Sequence, residues 1–156
     1  MDAGFESVGR ELEAVRLRSA LSEAMRLAST VNQYLDQTSP WSEIKKDKAE
    51  AAKTIYTALR AIDSLKILFA PFLPFTSEKL HQYLGYDTAL FGEQYVEEVK
   101  DSLGTHNVLR YRDTNALKLR WARSKLEPGQ KLREPAPLFK KLEDSVVEEE
   151  RARLGK

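Results

Sequence analysis

Leu21-Ser22-Glu23-Ala24-Met25-Arg26-Leu27-Ala28-Ser29-Thr30-Val31-Asn32-Gln33-Tyr34-Leu35 is the stretch that decides the fold. Leu21, Ala24, Met25, Ala28, Val31 and Leu35 recur at spacings of three and four. That spacing puts them on one apolar stripe of a helix of roughly 18–20 residues. Upstream, Phe5, Val8, Leu12 and Val15 form a separate stripe, and the register slips near Leu17, so a bend or short turn is expected there. Downstream, the residue before a proline is biased away from helical geometry, so the long helix stops before Pro40, with Gln37-Thr38-Ser39 as the linker.

The next segment is again helical. Asp47 is placed to cap it, and Ala51, Ile55, Ala58, Leu59, Ile62, Leu65, Leu68 and Phe69 supply a face covering more than half the circumference in places. A helix central in a bundle reads this way because it touches several neighbours. Ala70-Pro71-Phe72-Leu73-Pro74-Phe75 interrupts it, since two prolines three apart leave backbone carbonyls without amide partners. A further helix starts at Pro74, or is capped by Thr76 or Ser77, and runs through Leu80, Tyr83 and Leu84 to a stop at Gly85.

Beyond Tyr86 the pattern is less regular. Leu90, Tyr95, Val96 and Val99 suggest a short helix. Leu109, Tyr111, Leu117, Leu119 and Trp121 alternate with polar residues, which suggests a small hairpin turning at Asp113-Thr114-Asn115. Pro135 and Pro137 put Leu138 and Phe139 on an extended arm expected to dock its apolar side chains. Leu142–Arg153 has few apolar residues and reads as a loosely attached helix. The organisation expected is a helical domain over residues 1–143 and a polar C-terminal helix or tail over 144–156, all-α in class.

Composition narrows the chemistry. The chain has 156 residues, 42% of them apolar and 31% charged, which suits one ordinary globular domain. No cysteine is present, so thiolate zinc sites, iron–sulfur centres and disulfides are excluded, and two histidines make an all-imidazole metal site improbable. No glycine-rich phosphate loop, apolar leader or transmembrane run is evident. The net charge of +1 hides clustering. Asn107–Arg133 carries eight Lys or Arg against two acids, and Lys45, Lys46, Lys48 and Lys53 follow Trp41 closely. Such clusters are either a solvated face or, where they converge in space, a surface for nucleic acid.

No catalytic constellation emerges. His81 with Glu78 three residues before it is a weak acid–base pair, better read as a structural histidine. Thr76 and Ser77 are explained by capping. The most informative group is Asn32, Tyr34, Pro40 and Trp41, followed by Lys45 and Lys46. An asparagine amide both donates and accepts, so it can read a base edge. Trp41 offers a flat face to an unstacked base, and Pro40 restricts the loop that presents it. The lysines would meet phosphate. The alternative is that Trp41 covers the end of the bundle and Asn32 fastens the turn. Trp121 lacks the proline-fixed presentation and reads as packing.

Further strings resemble a known family. Ala20-Leu21 through Val31-Asn32-Gln33-Tyr34-Leu35, then Ser39-Pro40-Trp41 and Lys45, resemble the anticodon-binding domain of methionyl-tRNA synthetase. Leu68-Phe69-Ala70-Pro71-Phe72-Leu73-Pro74-Phe75-Thr76-Ser77-Glu78-Lys79-Leu80 looks like the helix break of that family. Trp121, Gly129 and Pro137-Leu138-Phe139-Lys140-Lys141-Leu142-Glu143 resemble its closing segment. The resemblance implies the anticodon-binding helix bundle of class Ia aminoacyl-tRNA synthetases, with a partly extended closing segment, binding the CAU anticodon loop of methionine tRNA. It carries Trp41 over as the stacking residue with Pro40 beside it, while Asn32 and Tyr34 match positions shaping the adjoining surface. Catalysis, with ATP and magnesium, would belong to a separate catalytic domain in the same cytoplasmic enzyme, so no cofactor is expected here and no membrane partner. The nucleotide-binding signatures of that domain do not occur in this sequence, and the first bundle helix of the family is not recognisable before Phe5. A helical protein-interaction scaffold without RNA binding is the alternative reading.

Overall fold

The computed structural model describes residues 2–112, 121–143 and 145–154. In chain order they form α1 (Asp2–Glu13), α2 (Leu17–Thr38), α3 (Pro40–Glu43), α4 (Lys48–Phe69), α5 (Pro74–Tyr83), β1 (Glu93–Asp101), β2 (Gly104–Arg112) and α6 (Ser145–Leu154). The expected slip of register near Leu17 is a tight turn. Val15 takes a left-handed φ of 57°, its amide bonds to the Leu12 carbonyl, and the Arg16 amide bonds to that of Glu11. The Arg16 guanidinium reaches back to the Glu11 carboxylate, 2.6 Å away, and closes the turn.

The core lies where α1 and α4 meet α2. Phe5 and Val8 of α1, Ala20, Ala24, Leu27 and Val31 of α2, and Leu65 and Leu68 of α4 are buried together. The period of the α2 stripe is as expected, but its position is rotated. Leu21 and Met25 face outward, Met25 at 54% exposure, and Ala20 and Leu27 take their place inside. Alanines at positions 20 and 24 let the helix backbones approach, and the larger side chains are left to the opposite face. On α4 the same effect leaves Ile55 exposed while Ala51 and Ala58 are buried.

The caps follow from local chemistry. Asp47 accepts the amides of Ala49 at 2.8 Å and Glu50 at 3.1 Å, which satisfies two of the orphan donors at the start of α4. α5 begins at Pro74, whose missing N–H costs nothing in the first turn. Gly85 takes φ +86° just beyond α5, and a Cβ there would collide with the carbonyl oxygen of Lys131.

The expectation of an all-α fold does not hold as it stands. The described residues are mostly helical, but β1 and β2 form a two-stranded antiparallel hairpin, with Glu93 opposite Arg112 and Asp101 opposite Gly104. The short helix expected over Tyr95, Val96 and Val99 is strand β1. Arg112 stacks over the Tyr95 ring and Arg110 pairs with Glu97, so cross-strand pairs stabilise the extended state. Leu109 and Tyr111 are in a strand, as their alternation suggests. Their partner is upstream, however, and the chain reverses at Ser102-Leu103, where Gly104 supplies a φ of +106°. The turn expected at Asp113-Thr114-Asn115, with Leu117 and Leu119, lies outside the described residues. The proline-rich arm forms neither helix nor strand, and Phe139 is 63% exposed, so its ring does not dock on the bundle. Helix α6 buries no side chain.

Candidate nucleic-acid interface

The end of α2 is built to turn sharply and present Trp41. The helix continues through Gln37 and Thr38, so the linker shrinks to Ser39 alone. Ser39 adopts φ 40° and ψ 58°, and its amide closes on the Leu35 carbonyl at 2.8 Å. The Ser39 hydroxyl donates to the Asp36 carbonyl at 2.8 Å, and that of Thr38 donates to the Tyr34 carbonyl at 2.7 Å. Pro40 follows as the first residue of α3, where its ring is buried and its φ suits a helix start. The amides of Ser42 and Glu43 return to the Ser39 carbonyl. Trp41 is therefore carried on a turn held at both ends.

The indole of Trp41 is 58% exposed, and its N–H has no partner among the described residues. It does not close off the bundle in the way a buried aromatic would. Asn32, on α2, is also exposed and forms no side-chain hydrogen bond with a described residue. The turn is fastened by Ser39 and Thr38, so Asn32 is not needed for that purpose. Tyr34 is half-buried, and its carbonyl accepts the Thr38 hydroxyl. Lys45 and Lys46 are exposed and enter no ion pair among the described residues. Lys53, further along, is held by Glu50 at 2.9 Å. Pro40, Trp41, Lys45 and Lys46 thus share one short stretch between α2 and α4, with Asn32 and Tyr34 on the last turns of the helix that enters it.

Trp121 behaves differently. Its indole N–H donates to the Phe5 carbonyl at 2.8 Å and its ring meets Phe5 edge-on at 5.5 Å. It ties the returning chain to α1, and its polar edge is used.

The sequence reading missed a buried polar network behind α4. Asp63 and Lys66 are almost fully buried, with 2.5 Å between carboxylate and ammonium. Lys66 Nζ also lies 2.9 Å from Nδ1 of His81, and His81 Nε2 lies 3.5 Å from the Thr88 hydroxyl. This geometry suits a neutral imidazole that accepts at Nδ1 and donates at Nε2. The second Asp63 oxygen accepts from Tyr86 at 3.0 Å and from Ser124 at 2.5 Å. The Ser124 amide donates to the Ser64 hydroxyl at 3.0 Å. The His81 and Tyr86 rings stack in parallel, 4.3 Å apart. Burial, reinforced by the Lys66 charge, lowers the His81 pKa; burial lowers that of Lys66 against the opposing pull of Asp63; burial raises that of Tyr86. Glu78 is occupied elsewhere, accepting the Leu90 amide at 2.9 Å. His81 is therefore a member of a saturated structural cluster, 7% exposed, with no opening for a substrate. The available signal was a charged pair, Asp63 and Lys66, three apart among the apolar residues Ala61, Ile62, Leu65, Ile67 and Leu68.

Among the described residues no three acidic or histidine side chains converge as a metal site requires, and no helix is long and apolar enough to cross a membrane.

The family described as the anticodon binding domain of methionyl tRNA ligase matches residues 1–109. The methionine–tRNA ligase of Thermomicrobium roseum is 53% identical over 153 residues, which cover 97% of this chain and 26% of that protein. That of Chloroflexus aggregans is 51% identical over 152 residues, covering 97% and 25%. That of Thermobifida fusca is 37% identical over 160 residues, covering 97% and 26%. The chain spans about a quarter of the length of the curated relatives it matches.

Proposed function

The chain belongs to the family of methionyl-tRNA ligase anticodon-binding domains, and from that premise we propose that it binds the anticodon loop of methionine tRNA and reads CAU with Trp41 as the stacking platform. The observation that carries this reading is the indole of Trp41, exposed and unbonded on a turn fixed by Ser39 and Pro40. A base leaving the loop's stack gains an aromatic face without any reorganisation of the protein, and stacking of this kind contributes about 1–3 kcal/mol per base. Asn32 brings an uncommitted amide for a base edge, and the Tyr34 carbonyl helps to hold the turn through the Thr38 hydroxyl. Lys45 and Lys46 supply unpaired positive charge for the phosphates and make affinity sensitive to salt.

The domain performs no chemistry in this reading. It holds the anticodon while a separate domain of a longer, ATP-dependent methionine–tRNA ligase esterifies the distant end of the tRNA, in the cytoplasm. ATP and magnesium would be bound there.

The test is a fluorescence anisotropy titration with labelled methionine tRNA and with the same tRNA carrying an altered anticodon. Trp41→Ala is expected to weaken cognate binding by roughly 10- to 100-fold, the equivalent of the stacking contribution. Trp41→Phe should retain part of the affinity. Equal cognate binding by wild type and Trp41→Ala, at matched folded fraction, refutes the assignment.

A further inference from the structure

The Trp41 turn hangs on one residue. α2 ends at Thr38 and α3 begins at Pro40, so Ser39 alone joins the two helices. Its backbone is held against two preferences. L side chains rarely take a positive φ, because Cβ crowds the following carbonyl oxygen. A residue before proline is pushed toward extended backbone. Ser39 nevertheless adopts φ 40° and ψ 58°.

Strain alone marks no function. Val15 also has a positive φ, in the turn between α1 and α2. Ser39 differs in its bonding. Its amide donates to the Leu35 carbonyl at 2.8 Å, and its hydroxyl donates to the Asp36 carbonyl at 2.8 Å. Its own carbonyl accepts the Ser42 amide at 2.9 Å and the Glu43 amide at 3.1 Å. Two bonds run back into α2 and two forward into α3, so every polar group of Ser39 is committed across the link. The chain beyond is bonded onward, the Ile44 amide to the Pro40 carbonyl at 3.0 Å and the Asp47 amide to that of Glu43 at 2.8 Å. The Trp41 ring, in contrast, has no hydrogen-bond, aromatic or cation partner among the described residues. Where it faces is therefore set mainly by the backbone that carries it. An extended Ser39, which the following proline favours, would send α3 in another direction and take the ring with it. Strain held by a surrounding hydrogen-bond network is one way in which a binding site is organised before its ligand arrives.

We propose that Ser39 is the positioning residue of Trp41: its left-handed backbone aims the indole, so that RNA stacks on a platform already in place. The proposal rests on the anticodon reading and assigns the aim of its central residue to a neighbour that need not touch RNA. The conformation is what matters, so a residue that takes a positive φ freely can replace the serine.

The experiment uses the full chain labelled with 5-fluorotryptophan, read by fluorine NMR and by anisotropy titration with both tRNAs. The proteins are wild type, Ser39→Gly, Ser39→Ala, Ser39→Pro, Trp41→Ala and the double variant Ser39→Pro with Trp41→Ala, each checked for unchanged helical circular dichroism. The chain has two tryptophans, so the resonance lost in Trp41→Ala is that of Trp41. Proline cannot reach a positive φ. Ser39→Pro should shift the Trp41 resonance, leave that of Trp121 in place, and weaken cognate binding by roughly 10- to 100-fold, as Trp41→Ala does. In the Trp41→Ala background it should weaken binding no further. A merely structural serine would lower affinity in both backgrounds. Ser39→Gly should keep the resonance and the affinity of wild type. Ser39→Ala also lacks the hydroxyl but retains a Cβ, and should bind about 5-fold more weakly than Ser39→Gly, the factor set by the penalty on a left-handed residue with a side chain. Wild-type affinity in Ser39→Pro, or additive losses in the double variant, overturns the proposal while the anticodon reading survives. If Trp41→Ala binds as wild type does, the anticodon reading fails; a shifted Trp41 resonance in Ser39→Pro then still supports the aiming role, and an unshifted one overturns it. Should Ser39→Pro unfold, the comparison of Ser39→Ala with Ser39→Gly decides, and equal affinity overturns the proposal.

Discussion

The two tryptophans show how one residue type serves two ends. Trp121 spends its N–H on the Phe5 carbonyl, whereas Trp41 keeps its own free on a proline-fixed turn. Asn32 is likewise uncommitted, which gives a clean prediction. Asn32→Ala should leave the unfolding free energy from a urea melt within about 0.5 kcal/mol of wild type, as for an exposed side chain without partners. Any loss of tRNA affinity in that variant then reports an RNA contact directly, and a large loss of stability would show that Asn32 has a structural partner. His81 predicts the opposite behaviour. Its pKa is lowered from 6.5 by burial and by Lys66, so below about pH 6.5 the unfolded chain takes up a proton that the folded chain resists. Stability from this group is complete above that pH and is lost as the pH falls toward the folded value. Urea unfolding between pH 7.5 and 5.5 should show a falling midpoint, and His81→Gln should flatten the part of the slope due to this residue. The Trp41 group was legible in the sequence because proline, tryptophan and lysine lie within a few residues of each other. The His81 cluster was not, because Asp63 finds Ser124 sixty-one positions away and no local period records that pairing.

Among the elements, α4 depends most on chemistry visible in the sequence. Asp47 caps it with two amide bonds, so Asp47→Ala should cost about 1 kcal/mol in a thermal or urea melt, and Asp47→Ser much less. No change on losing the carboxylate would mean that water satisfies those amides equally well. Helix starts and stops were readable because caps, prolines and Gly85 act locally. The hairpin was misjudged for a physical reason. Glu97, Val99, Val108 and Arg110 carry no period of their own that separates strand from helix, and what stabilises β1 is its cross-strand pairing with β2. Leu21 and Met25 were placed inside because spacing gives the period of an amphipathic face but not its phase when alanines compete for the inside.

At the scale of the whole molecule, the returning chain is tied to the bundle by a set of polar bonds, beside the buried Leu126 and the Trp121 ring against Phe5. Ser124 joins Asp63 and Ser64, the Arg133 amide bonds to the Tyr83 carbonyl, and Gln130 donates to the Leu84 carbonyl. Asp63 is the hub, since Lys66, Tyr86 and Ser124 all converge on its two oxygens. A buried pair of this kind is asymmetric in its energetics. Removing one partner strands the other charge, whereas replacing both with apolar groups of similar volume removes the desolvation cost as well. Asp63→Ala should therefore destabilise the fold by roughly 3–5 kcal/mol, because Lys66 is left buried without its carboxylate. The double variant Asp63→Leu with Lys66→Met should recover much of that loss. Recovery will be incomplete, since Tyr86 and Ser124 lose their acceptor and His81 its donor. Urea denaturation of the two single variants and the double gives the coupling between the charges directly. Additive effects would show that Asp63 and Lys66 act independently and that the closing segment is held by its backbone bonds alone. A strong coupling, with segment 121–133 losing hydrogen-exchange protection in Asp63→Ala ahead of α1 and α2, would identify the pair as the joint between the bundle and the chain that closes it.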